Sequence, residues 1–442
     1  MTRAIGKRLL ILFFLSGLIL IIIGVTGWRL TWAEAAVKTL ARDHDPVILT
    51  GAQTPGLVGA PVDDLFLYTF QSGVINGQIP VQVDELLANG SYVTTEDGLL
   101  DANDEIVFLA KDLGDRAPDF TVLTATLPIS ETWYEIEVTD PLSPTNKGWA
   151  YLVRSNTLTH PIIDYVNYDS SQRRITTNPN HYELRFALTT HPGLDYLTLN
   201  GNTTDILDRT KLRVYLTLFG TLTEIVTEES LGSPAPVLVK NGRVRVILTQ
   251  RANDVLELAS LSSTYQAFAS TFRVTTVVSS SVTVNGARTS VDLDSVVSGL
   301  ATFYNANTPA GVLIDGVPDS EIAETPLSRW TQVSHSTGRL VQVIETAAVG
   351  GGQRNFYRDN NSPESVENTG NNGSYGEAGY LFEGPINQTF TTQSGLFVLS
   401  PATTGPDNVG ATYEAYFFHP LSVRANLFGT TTTFLPIIFK HH

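Results

Sequence analysis

A chain of 442 residues with 42% hydrophobic content has material for two or three domains with real cores. Its formal charge of −16 works against nucleic acid and anionic lipid, which need clustered Lys and Arg to neutralise phosphates. The absence of cysteine excludes disulfides, thiolate metal sites and cysteine nucleophiles.

The first element is the apolar run Leu9–Val25, with Arg3, Lys7 and Arg8 before it and Trp28, Arg29 and Trp32 after it. A basic start followed by a continuous apolar segment marks a secretory signal peptide or an N-terminal membrane anchor. Ala33-Glu34-Ala35 supplies the small-x-small pattern of a cleavage site. Counted as a helix, Leu9–Trp28 spans roughly 30 Å, about one hydrocarbon core, with the tryptophans at the outer interface. Both readings stand for residues 1–35, and both place the rest of the chain outside the cytoplasm. No second run of spanning length follows, so one membrane crossing at most is expected.

Pro46 stops any extension of that helix, and short β-branched and aromatic runs begin. Asn-Gly favours type I′ hairpin turns, because both of its central residues tolerate positive φ. On that basis Asn76-Gly77, Asn241-Gly242 and Asn285-Gly286 each centre an expected hairpin, and Ser336-Thr337-Gly338 a fourth. One helix is expected over Asp254–Phe268. Residues 350–376, rich in Gly, Asn and Ser, read as a long surface loop. The fold class is therefore all-β, with two β-sandwich domains after the N-terminal segment. The first covers residues 46–150 and the larger second covers 156–428. The break falls near Asp140-Pro141 and Pro144, and 429–442 forms a hydrophobic tail.

The densest acidic stretch runs from Glu96 to Glu105 and holds Asp97, Asp101, Asn103, Asp104 and Glu105 around Gly98. Calcium takes six to eight oxygens, and a short carboxylate-rich turn can supply several, so these five residues are the candidate metal ligands. Their D-G-x-x-D core resembles the calcium loops of dockerin-like and thrombospondin-type repeats, although Thr95 stands where those repeats usually carry another Asp. The alternative is a solvated acidic turn. The longer segment from Ile79 through Asp84-Glu85 and Asp97-Gly98 to Leu109 resembles a module of exported bacterial β-sandwich proteins, some found beside polysaccharide-degrading enzymes. That resemblance implies a carbohydrate-facing role. Phe434-Leu435-Pro436-Ile437-Ile438-Phe439-Lys440 resembles the Leu-Pro tails of some bacterial surface proteins.

No HExxH, Gly-x-Ser-x-Gly or Walker-type pattern occurs. His181, Glu183 and Arg185 fall on one face of an expected strand. A lyase could use such a histidine as base and the arginine to neutralise a uronate. The alternative is a polar exposed strand. Glu228-Glu229 and Asp254/Glu257 are the candidate carboxylate pairs for glycoside hydrolysis. Phe356, Tyr357 and Tyr375, expected in the polar loop, are the candidates for stacking on sugar rings. Three functions are compatible with these features. They are a surface binding module with calcium and glycan ligands, a polysaccharide lyase or hydrolase, and a structural cell-envelope protein.

Overall fold

The computed structural model describes residues 36–119, 132–254, 257–319, 322–346, 350–363, 369–370, 373–386, 388–402 and 407–430. The N-terminal apolar segment and residues 431–442 of the tail lie outside the described residues. Among the described residues no helix is long and apolar enough to cross a membrane.

The first unit uses β1 (Pro46–Thr50), β2 (Leu65–Gln71), β3 (Val74–Ile79), β4 (Gln82–Asp84), β5 (Glu105–Leu109), β6 (Thr132–Asp140) and β7 (Ser143–Arg154). A three-stranded sheet, β1-β5-β4, packs on a five-stranded sheet that contains β6-β7-β2-β3. Val47, Leu49, Ile106 and Phe108 from one sheet meet Leu65, Leu67, Ile136, Val138 and Leu152 from the other, all buried. The residues between them are apolar as well: Phe66, Tyr68, Tyr151 and Val153 gather around Trp133, and Val107 and Leu109 around Phe268, so these strands are buried on both faces and read as continuous apolar runs.

The second unit continues through β8 (Val166–Asp169), β9 (Arg174–Thr177), β10 (Tyr182–Phe186), β11 (Leu194–Leu199), β12 (Leu207–Leu218) and β13 (Leu222–Thr227). Next come β14 (Val237–Asn241), β15 (Val246–Asn253), β16 (Ala259–Ala267), β17 (Thr271–Ser280), β18 (Thr283–Leu293), β19 (Ala301–Asn305) and β20 (Thr308–Ile314). The unit closes with β21 (Trp330–His335), β22 (Gly338–Thr346), β23 (Gly352–Asn360), β24 (Ser374–Ile386) and β25 (Thr389–Leu399). Nine strands form one sheet, β14-β15-β16-β17-β25-β22-β21-β19-β20, faced by the five-stranded sheet β13-β12-β18-β24-β23. The four-stranded sheet β11-β10-β9-β8 covers one end of the same core, through Tyr182, Leu184, Phe186 and Leu197.

The short helix α1 (Gly410–Phe418) packs on the outer face of the nine-stranded sheet, and β26 (Ser422–Thr430) follows it. β26 does not join the second unit, with which its residues were grouped by position in sequence. It pairs with β6, Val423 opposite Val138 and Ala425 opposite Ile136, and completes the five-stranded sheet of the first unit.

Five local expectations are corrected. Asp254–Phe268 is not a helix: β16 runs from Ala259 to Ala267, hydrogen-bonded on one side to β15 and on the other to β17. Two strand partners outweigh the helical spacing of Val255, Leu258 and Leu261 in the sequence. Residues 350–376 are not one loop, since β23 and the start of β24 occupy much of them. The Asn76-Gly77 hairpin exists but turns at Ser72-Gly73, both at positive φ, and leaves Asn76-Gly77 beside a register shift. Asn285-Gly286 lies inside β18 at another register shift, without a turn. The hairpin through Ser336-Thr337 forms as expected; β14 and β15 also pair, but Asn241 lies opposite Val246, so the four residues Gly242–Arg245 make the connection and neither Asn241 nor Gly242 is at positive φ.

The two units share a buried polar seam. Arg245, just before β15, is fully buried and pairs through Nε with Asp84 Oδ2 at 2.7 Å and through Nη2 with Glu105. Gln82 Oε1 accepts from the amides of Val244 and Arg245, both at 2.9 Å. Gly242 is required beside it, because a Cβ there would overlap the Gln82 side chain.

Candidate functional site: a cleft inside the larger sandwich

The inward face of the nine-stranded sheet breaks the usual apolar pattern along a single line. Gln250 on β15 lies opposite Ser263 on β16, Ser263 opposite Thr276 on β17, and Thr276 opposite Thr392 on β25. This cross-strand polar row passes between two apolar clusters. Tyr265, Phe272 and Leu194 belong to one, and Ala252, Val278, Phe382 and Phe390 to the other. Polar side chains cannot close against an apolar sheet without losing hydrogen bonds, so the sheets stay apart there. A cavity of about 170 Å³ results. Its opposite wall presents the apolar side chains of Leu212, Ala287, Val291 and Phe382, with Thr210 and Thr289 among them.

Part of the row is satisfied internally. Tyr265 Oη donates to Gln250 Oε1 at 2.9 Å, Gln250 Nε2 donates to the Pro234 carbonyl at 2.8 Å, and the Ser263 and Thr276 hydroxyls are 2.9 Å apart. Gln342, Thr392 and Ser394 are different. They line the cleft half-buried, with no side-chain hydrogen-bond partner among the described residues. Such groups can take a ligand's hydroxyls without first breaking protein bonds.

The charged residues lining the cleft are each engaged elsewhere, Arg288 with its Nη2 3.9 Å from Glu377 Oε1 and its guanidinium over the Phe356 ring. Glu228 is the carboxylate among its lining residues, and it is held by the Leu212 amide at 3.0 Å, by Arg213 and by Thr369. The pairing keeps the Glu228 carboxyl below its usual range against the opposing effect of burial. Lys211 also borders the cleft but its Nζ is committed to Asp292 at 2.5 Å.

The residues singled out from sequence lie elsewhere. Glu183 and Arg185 share a strand face as expected, and Arg185 Nη2 meets Glu183 Oε1 at 2.8 Å while its guanidinium covers the Tyr196 ring at 3.7 Å. His181 precedes β10 and is half-buried, and the three converge on no cavity described above. Phe356 and Tyr357 are consecutive in β23 and therefore point to opposite faces. The Arg288 guanidinium lies 4.4 Å from the Phe356 ring centroid, and the Tyr357 ring packs at a tilt against Phe303, 4.3 Å between centroids. Tyr375 packs beside the main core cluster, its amide bonded to Asp292.

In the acidic stretch, Asp104 accepts from the amides of Leu86 at 3.0 Å and Asp101 at 2.6 Å, and Asp97 accepts from Leu99 at 2.9 Å. Asn103 donates to the Leu86 carbonyl, and Glu105 serves Arg245 and Tyr92. Among the described residues no group of three or more His, Asp or Glu is placed to hold a metal ion. The cleft itself escaped the sequence reading. Its signal was present as Gln, Ser and Thr at inward positions, but only strand pairing shows that they form one row.

A second arrangement has the look of a nucleophilic pair. His44 Nδ1 lies 2.8 Å from Ser270 Oγ. Ser270 is buried at the β16–β17 turn, against the first unit, where Thr271 Oγ1 also donates to the His44 carbonyl at 2.7 Å. The pair joins the units. Burial pushes His44 down to about 4, so the folded protein holds it neutral where the unfolded chain would protonate it. Its folded pKa is depressed, so the contribution is intact above pH ~6.5 and is lost as pH falls toward 4. The expected loss between pH 7 and pH 4.5 is about 2–3 kcal/mol, read from urea midpoints. His44→Asn should flatten that part of the profile; an unchanged slope would remove His44 from the account.

No family model and no curated protein matches the chain. Solved structures do. An α-mannosidase from Enterococcus faecalis V583 is similar over 90% of this chain and 46% of its own, at 10% identity and TM-score 0.45. An α-N-acetylgalactosaminidase from Bifidobacterium bifidum is similar over 50% of this chain and 35% of its own, at 11% identity and TM-score 0.35. A polysaccharide lyase is similar over 53% of this chain and 34% of its own, at 9% identity and TM-score 0.30. The chain thus spans less than half the length of each of these three carbohydrate-active enzymes.

Proposed function

We propose that the chain is an exported binding protein whose larger sandwich holds a neutral sugar ring in the inter-sheet cleft. The observation that carries this reading is the set of unpartnered polar side chains, Gln342, Thr392 and Ser394, beside a hydrogen-bonding row and opposite the apolar side chains of the facing wall. A pyranose has hydroxyls at its edge and apolar C–H faces, so it matches both surfaces. The volume is of the order that holds a single six-membered ring, ~150 Å³ for benzene in an apolar cavity. Export is read from the basic and apolar residues 1–35.

Binding is favoured over hydrolysis by the state of the carboxylates. Glycoside hydrolysis uses two carboxyl groups flanking the scissile bond. The cleft offers Glu228 alone, and it is already engaged by Arg213, Thr369 and a backbone amide. Titration calorimetry against a panel of neutral mono- and oligosaccharides tests the reading. Gln342→Leu with Thr392→Val should weaken the best ligand at least tenfold, about 1.4 kcal/mol, with little change in melting temperature. Failure of every neutral sugar to bind the wild type would reject the proposal.

A further inference from the structure

On its outer face the nine-stranded sheet carries a second hollow, a groove of about 370 Å³. Its floor is a cross-strand row of polar residues, Thr264 opposite Thr275, Thr275 opposite Gln393, and Gln393 opposite Glu345. One wall is aromatic, from Phe417 and Phe418 at the end of α1. Gly395 permits that wall, because a Cβ at this position would be 2.8 Å from the Phe417 ring. Arg273 lies one row further along, opposite Gly395.

Arg273 is out of keeping with its surroundings. Two neighbouring arginines are paired: Arg245 with Asp84 and Glu105, Arg42 with Asp45 at 2.7 Å and Asp140 at 3.1 Å. Arg273 is half-buried with its Nε inside, its guanidinium lies 6.0 Å from the Phe268 ring centroid, and it has no hydrogen-bond or ion-pair partner among the described residues. Asp45 lies near enough to favour its charge but is bonded to Arg42, while Arg245 and Arg42 both disfavour it. Burial pushes the guanidinium below its ordinary value. Glu345, on the same groove, is two strands away and two residues along, about 12 Å between Cα atoms. A partly desolvated cation without a counter-charge is unfavourable, and a ligand carboxylate would relieve it with a charge-assisted, fork-shaped pair.

We propose that this outer groove binds a sugar ring bearing a carboxylate, a uronate, with Arg273 opposite the carboxylate. The Thr275 and Gln393 side chains face the ring hydroxyls, and the Phe417–Phe418 wall takes an apolar ring face. The site is separate from the inter-sheet cleft and does not depend on that assignment.

Wild-type protein titrated with glucuronate, glucose, acetate and the methyl ester of glucuronic acid separates the parts of the claim. Glucuronate should bind at least tenfold tighter than the ester and than glucose, which differ from it in charge. It should also bind tighter than acetate, which has charge but no ring. Equal binding of ester and acid would overturn the role of Arg273, and acetate equal to glucuronate would overturn the sugar. Arg273→Met should abolish the glucuronate preference while leaving the melting temperature unchanged or raised, since it removes an unpaired charge. Retained preference in that variant would also overturn the proposal. Should Arg273→Met not fold, Arg273→Lys keeps the charge without the fork and should weaken glucuronate severalfold.

Discussion

Arg245→Met is expected to lower the stability of the protein by about 3–5 kcal/mol at pH 7, the effect of leaving a buried charge without its partner. Asp84, buried opposite it, would retain only the Gln82 Nε2 donor at 2.7 Å, and Glu105 only the Tyr92 hydroxyl at 2.9 Å. Burial already raises the Asp84 carboxyl above its usual value even with the arginine in place. Protonation would therefore relieve the variant, and its deficit relative to wild type should shrink as pH falls toward 5. Asp84→Leu in the Arg245→Met background should restore part of the loss, because an apolar pair of similar volume replaces a buried ion pair at little penalty. Urea titrations at pH 7 and pH 5 read both effects. A single variant within 1 kcal/mol of wild type at pH 7 would show that the seam is not a desolvated ion pair.

Lys211→Met tests the second buried network, on the outer face of the five-stranded sheet. Lys211 Nζ meets Asp292 Oδ2 at 2.5 Å and Glu377 Oε2 at 3.6 Å, while Ser290 and Ser374 donate to Glu377 at 2.6 and 2.9 Å. Burial pushes Asp292 up to about 7, with the Glu377 charge adding to it and Lys211 opposing it. For a carboxyl raised in this way, the stabilising contribution is complete below pH ~4 and is lost as pH rises through about 7. Removing the lysine leaves two buried carboxyls side by side. The expected loss is about 3–5 kcal/mol at pH 8.5, falling toward pH 6 as Asp292 retains its proton. Asp292→Asn in the same background should remove most of the pH dependence. A pH-independent deficit would point to packing of the Lys211 stem as its cause.

The all-β class was legible because it is local. Alternating residues such as Tyr182-Glu183-Leu184-Arg185-Phe186 and turn stretches such as Ser336-Thr337-Gly338 act over a few positions, and β10 and the β21–β22 hairpin follow. What could not be read depends on partners distant in sequence. Asn285-Gly286 has the composition of a turn but sits between β12 and β24, whose hydrogen bonds extend the chain through it. The acidic stretch before β5 looked like a cation loop, yet Glu105 lies against Arg245 and Glu96 against Lys240, each more than a hundred residues away. The candidate cleft was hidden for the same reason. Gln250, Ser263, Thr276 and Thr392 are ordinary one at a time and become a site only through the pairing of four strands.

The placement of β26 has a consequence for how the protein comes into being. As the chain leaves the ribosome, β6 appears roughly 290 residues before the strand that will flank it, and until then its edge offers unpaired amides and carbonyls to any passing strand. The smaller unit is begun first and finished last, so the whole of the larger one must be traversed before its final strand can dock. Arg42 fastens the closure from the other side, holding the carbonyls of Tyr416 and His419 at 2.9 and 2.8 Å at the end of α1. The two ends of the described chain are thus clasped together, and a cut anywhere in the larger unit would leave its fragments tethered through the smaller one.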